Sequence, residues 1–114
     1  MTLTFGLVAT GATIGAGPAV SKSVRTPSCT KQALSAALHR GSRDVRQGQI
    51  DRRAYGCANS YAYAGVTVGP KANQVEVTVL FHATNGRWKI VSRATPCKKH
   101  LVPRAIYKAA CLSN

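Results

Sequence analysis

The side chains of this chain that could exchange protons at a reaction centre are few: Asp44, Asp51 and Glu76 are its three acids, and His39, His82 and His100 its three histidines. A carboxylate base, a histidine acid and arginines on the phosphate would make a small secreted ribonuclease. Glu76 and His82 share one face of a predicted strand, but the extended chain between them holds their backbones about 20 Å apart, too far for one phosphodiester. Glu76 is expected to pair instead with Arg93, its diagonal neighbour on that face. His82 is expected to sit exposed beside Lys89, and His39 to serve the end of a helix, where partial positive charge suits the dipole. No nucleophile elbow, phosphate loop, His-Glu-x-x-His or dinucleotide fingerprint is present, so the sequence assigns no catalytic residue, no metal and no cofactor.

Charge is the strongest compositional signal. Sixteen Lys and Arg stand against three acids, for a formal charge of +13. They run from Lys22 to Lys108 with no single tail, which describes a basic domain and not a neutral one with a basic arm. The densest group, Arg40, Arg43, Arg46, Arg52 and Arg53, together with Lys89, forms the candidate contact set for an anionic partner. A summed field of this kind favours an anionic polymer or an acidic protein surface, nucleic acid among them, without choosing between them.

Residues 1–19 carry no charge and combine an apolar stretch with small residues, Gly17 and Ala19 standing at −3 and −1 for cleavage after Ala19. The stretch lacks a basic n-region but otherwise resembles an export leader, and it is too rich in Gly and Thr for a comfortable membrane span. A secreted or cell-wall-associated protein, with no stable span in its mature form, is the expectation. Residues 20–28 read as a flexible segment and 29–114 as a single domain. All four cysteines, Cys29, Cys57, Cys97 and Cys111, fall within that domain, and an even count in a short exported chain implies two disulfides. Of the three pairings, Cys29 with Cys57 and Cys97 with Cys111 is favoured, because each ties a helical candidate to adjoining structure without threading an element. The spacings contain no Cys-x2-Cys pair, which argues against zinc.

The elements that must position these groups centre on residues 75–93. Two runs rich in β-branched and aromatic residues flank Asn85-Gly86, the dipeptide suited to a type I′ turn. The hairpin then pairs Thr84 with Arg87 and continues to Thr78 with Arg93. One face collects Val75, Val77, Val79, Phe81, Ala83, Trp88 and Ile90, and the other Glu76, Thr78, Leu80, His82, Lys89, Val91 and Arg93. Trp88 is therefore expected to pack in the core. Leu80 and Val91 form an apolar pair among basic groups, an exposed protein-binding patch if both helices cover the other face. Thr30–Arg40 reads as a short amphipathic helix with Ser28 or Thr30 as N-cap and Gly41 as the residue past its end. Residues 41–56 read as loop, with one turn of helix or a short strand at most. Ala58–Val68 reads as a strand beside the hairpin, and Pro103 opens a second helix through about Ala110. The expected fold class is α+β: an antiparallel three- to four-stranded meander with an N-terminal and a C-terminal helix on one face.

The run Cys57, Tyr61-Ala62-Tyr63-Ala64, a Val-rich strand with Phe81, Asn85-Gly86-Arg87-Trp88, Cys97, Val102-Pro103, Ile106-Tyr107 and Ala110-Cys111 resembles small exported disulfide-bonded proteins of actinobacteria that are themselves uncharacterised. That resemblance covers most of 29–114 and implies export and disulfides but no activity. By length, compartment and cysteine count the chain is also similar to the actinobacterial subtilisin-inhibitor proteins, without their reactive-loop arrangement. The leading expectation is a non-enzymatic, secreted basic binding protein; the alternatives are a protease-inhibitor or toxin-like module and the ribonuclease.

Overall fold

Asn85 and Gly86 both adopt positive φ, 53° and 76°, the combination by which a two-residue turn matches the twist of its flanking strands. In the computed structural model, which describes residues 26–41 and 43–113 and of Asp44 the backbone alone, this turn joins β3 (Val75–Thr84) to β4 (Arg87–Val91). The expected leader 1–19 and residues 20–25 lie outside the described residues. The hairpin register is the expected one from Thr84↔Arg87 to Leu80↔Val91. It stops there because Ser92 caps the turn that follows, its Oγ accepting from the Ala94 amide at 3.2 Å, so Ser92 and Arg93 leave the ladder.

Two further strands complete an antiparallel meander of order β1-β2-β3-β4. β2 (Tyr61–Val68) lies along all of β3, from Tyr61↔His82 to Val68↔Val75. β1 (Gln49–Ala58) occupies the segment read as loop. Between Ile50↔Val66 and Tyr55↔Ala64 its register shifts: β1 advances five residues while β2 advances two. Asp51, Arg52 and Arg53 are exposed at this bulge, where Asp51 Oδ1 accepts from the Arg53 amide at 2.9 Å. A charged bulge on an edge strand disfavours pairing with another chain.

Helix α1 (Lys31–His39) starts where expected, Thr30 Oγ1 accepting from the Ala33 amide at 3.0 Å. Gly41 follows it for a packing reason and not for a left-handed φ: a Cβ there would overlap Ile90 Cδ1. A single turn, α2 (Arg43–Arg46), precedes β1. After β4 come α3 (Ala94–Lys98), not foreseen in the sequence, and α4 (Arg104–Cys111). Pro96 is tolerated in α3 because the first turn of a helix needs no amide donor.

The fold is α+β, but its two long helices lie on opposite faces of the sheet, which corrects the expectation of one shared face. Leu34, Ala37 and Leu38 of α1 pack with Ile50, Ala62, Ala64, Val66, Val79, Phe81 and Trp88. Ile106 and Ala110 of α4, with Val102 just ahead of that helix, pack onto Leu80, Tyr61, Tyr63 and Val91. Strand alternation dictates the split, since Leu80 points away from its neighbours Val79 and Phe81. The Leu80–Val91 pair is consequently no docking patch; Leu80 is 0% exposed, beneath α4. Val75, placed on the core face by the pattern, is 58% exposed at the start of β3.

Trp88 is core, as expected, and its Nε1 donates to the Ser28 carbonyl at 2.9 Å, tying the chain ahead of α1 to β4. Both disulfides have the favoured pairing, Cys29–Cys57 and Cys97–Cys111. Cys57 packs against the α1 core, and Cys97 and Cys111 against the α4 core, so each layer has its own cross-link. Leu80→Ala should lower unfolding stability by about 2–5 kcal/mol, against a few tenths if Leu80 were exposed; urea denaturation of the oxidised protein measures this.

Candidate functional site

Among the described residues no polar or charged side chain is buried, so any binding chemistry must reside in clefts open to solvent. The meander has two edges, β1 and β4, and the β4 edge carries the larger opening. Thr84 and Arg87 close the turn as a hydrogen-bonded pair, so Trp88 and Ile90 direct their amides and carbonyls away from β3. Arg40, the C-cap of α1, reaches this edge and donates from Nη2 to the Trp88 carbonyl at 3.1 Å.

A groove of about 620 Å³ runs between this helix end and the hairpin. Arg40, Arg87 and Lys89 supply its cations, Thr84 and Asn85 its neutral polar groups, and Ala37, Trp88 and Ile90 its apolar floor. No acid lines it. Asp51 and Glu76 belong to β1 and β3, away from this edge. Guanidinium and ammonium groups around an apolar floor can hold carboxylate or phosphate oxygens by charge-assisted hydrogen bonds while the ligand carbon rests on the floor.

The six residues singled out in the sequence divide among four places. Arg40 and Lys89 meet in this groove, joined by Arg87, which the sequence reading did not select although the hairpin register had placed it opposite Thr84. Arg43 and Arg46 line a separate cleft of about 400 Å³ with Gln47, Val68 and Pro70. Arg52 is exposed on the β1 bulge, and Arg53 lines a cleft of about 370 Å³ on the α4 face with Tyr63, Glu76 and Thr78.

Gly65 forms the floor of that last cleft. A Cβ there would lie 2.5 Å from Glu76 Oε2, so the missing side chain is what lets the carboxylate lie across β2. Arg93 does not serve Glu76 as expected; its Nη1 donates to the carbonyls of Ala110 at 3.0 Å and Ser113 at 2.8 Å, satisfying the end of α4. His82 packs on Tyr61, ring centroids 4.6 Å apart. Helix α4 covers Leu80, which lies between Glu76 and His82 on their shared strand face, and no histidine lines the Glu76 cleft. His39 is exposed in the last turn of α1, the position expected for it.

The four cysteines are consumed by the two disulfides, and among the described residues no group of three or more His, Cys, Asp or Glu is placed to hold a metal ion. No described helix is long and apolar enough to cross a membrane.

Comparison with known proteins assigns the chain to no group: no family model, curated protein or solved structure matches it. The reading of the groove therefore rests on its own geometry.

Arg40 has a structural bond as well as a charge, whereas Arg87 is exposed at the turn. Arg40→Ala should cost about 1–2 kcal/mol of stability through the lost bond to the Trp88 carbonyl, and Arg87→Ala less than about 0.5 kcal/mol; equilibrium denaturation of the two variants separates them.

Proposed function

We propose that this protein is a secreted or cell-wall-associated binding protein that holds an anionic polymer at the groove between α1 and the β3–β4 hairpin. The observation that carries this reading is the convergence of Arg40, Arg87 and Lys89 on one groove that, among the described residues, no acid lines. The remaining cations act at longer range. With a formal charge of +13, the molecule presents positive potential in most orientations, which speeds encounter with a polyanion. The two disulfides fit an oxidising, extracellular setting.

Nucleic acid is the convenient probe of this class. Binding of a labelled RNA oligomer, followed by fluorescence anisotropy, should weaken steeply with salt as counterions are released. Arg87→Ala with Lys89→Ala should weaken binding and flatten the log–log salt slope by about 1.4, the contribution of two phosphate contacts on a single strand. Salt-insensitive binding, or an unchanged slope in the double variant, would count against the groove.

A second reading, hydrolysis of RNA, draws on the Glu76 cleft, where a carboxylate, Arg53 and the Tyr63 phenol are neighbours. Under it, Glu76 takes a proton and Arg53 holds phosphate. Cleavage of the RNA by extensively purified protein, abolished by Glu76→Gln, would establish it. Intact RNA would remove it.

A further inference from the structure

Two of the three large hydrophobic side chains left exposed among the described residues, Leu101 at 54% and Leu112 at 68%, belong to one corner of the molecule, and neither lines the hairpin groove. The corner is rigidly built. Cys97–Cys111 joins the end of α3 to the end of α4, which sets Leu112 beside the turn that carries Leu101. That turn is reversed by His100, at φ 54°, and the Leu101 amide donates back to the Pro96 carbonyl at 2.8 Å. Tyr107 fastens it from α4: its hydroxyl donates to the Cys97 carbonyl at 3.1 Å, and its ring stacks on His100 with centroids 5.2 Å apart.

Cations surround the two leucines. Arg104 and Lys108 stand one helical turn apart on the exposed side of α4, in the same stripe as Leu112. They line with His100 and Leu112 a cleft of about 530 Å³. Lys98 and Lys99 are exposed in the adjoining turn. No acid occurs in 77–114.

A hydrated polyanion has no apolar phase to receive leucine side chains, whereas the interface of an anionic bilayer offers negative headgroups and acyl carbon within a few ångströms of each other. We infer that the α3–α4 corner docks on an anionic lipid surface, Leu101 and Leu112 entering the acyl boundary while Lys98, Lys99, Arg104 and Lys108 meet the headgroups. The association is peripheral and needs no spanning helix. It uses a surface separate from the groove, so the protein can hold a polymer and rest on a membrane at once.

The test is co-sedimentation of the oxidised full chain with vesicles of phosphatidylglycerol and phosphatidylcholine, and with pure phosphatidylcholine, at physiological salt. All variants share residues 1–25, so a difference between variants reads the corner. Leu101→Ser with Leu112→Ser should lower affinity for the anionic vesicles roughly tenfold or more and leave RNA binding unchanged. Arg104→Gln with Lys108→Gln should erode the preference for phosphatidylglycerol. Sedimentation of the leucine variant equal to wild type would overturn the proposal. Equal binding of wild type to both vesicle types would overturn it as well. Both leucines are exposed, and retention of the denaturation midpoint in the variants confirms that folding is not the quantity being read.

Discussion

The alternation of side chains along β3 is the constraint on which the rest of the structure depends. β3 is interior to the sheet and carries large apolar side chains on both of its faces, so each face must be covered. Val79 and Phe81 point to one side and Leu80 to the other, all three buried. Each fully buried leucine or phenylalanine contributes about 1.5–3 kcal/mol of transfer free energy. Neither face can be left open at that magnitude in a domain of this size, whose total stability is of the order of 5–15 kcal/mol. A helix on each side follows, and with it two small cores in place of one.

Two small cores need reinforcement, and the disulfides are distributed accordingly. Cys29–Cys57 holds α1 to the end of β1, and Cys97–Cys111 closes a loop of 14 residues around the α4 layer. A loop near that length is worth about 3 kcal/mol in the chain-entropy account. Hydrogen bonds from side chains finish the same work at the ends of elements. Trp88 holds the Ser28 carbonyl, Arg40 the Trp88 carbonyl, and Arg93 the last carbonyls of α4. In a chain with three acids and sixteen strong bases, backbone carbonyls are the partners available in number, and arginine, with several donors, serves a carbonyl while keeping its charge for solvent.

Covering both faces also determines where binding can occur. What stays open is the perimeter: the β4 edge with its groove, the charged bulge of β1, the α2 cleft and the α3–α4 corner. These regions are basic, because acids are scarce everywhere, but they differ in kind. The β4 groove sets cations around an apolar floor, whereas the corner projects leucines beyond its cations. In the cleft floored by Gly65 the Glu76 carboxylate stands among the lining groups, which gives the α4 face a different chemistry.

Local chemistry sufficed for the hairpin, its register, the core position of Trp88, the N-cap of α1 and the start of α4. In each case the deciding interaction lies within a few residues: the positive φ of Asn85-Gly86, the Thr30 hydroxyl, the fixed φ of Pro103. The cysteine pairing was likewise legible, because neighbouring elements are the easiest to bridge. β1 was not, because its bulge interrupts the period of two and places Asp-Arg-Arg where an alternating strand would show apolar residues. The candidate groove was half legible: Arg40 and Lys89 stood out by charge, but nothing local said that the end of α1 would meet the edge of β4 and enlist Arg87. The face on which α4 lands and the burial of Leu80 were decided only by tertiary structure. They depend on the alignment of β2 with β3, which brings Tyr61 and Tyr63 beside Leu80 and turns an isolated apolar pair into a core. A sequence states which residues prefer to leave water; which face they share is settled by the strands that come to lie beside them.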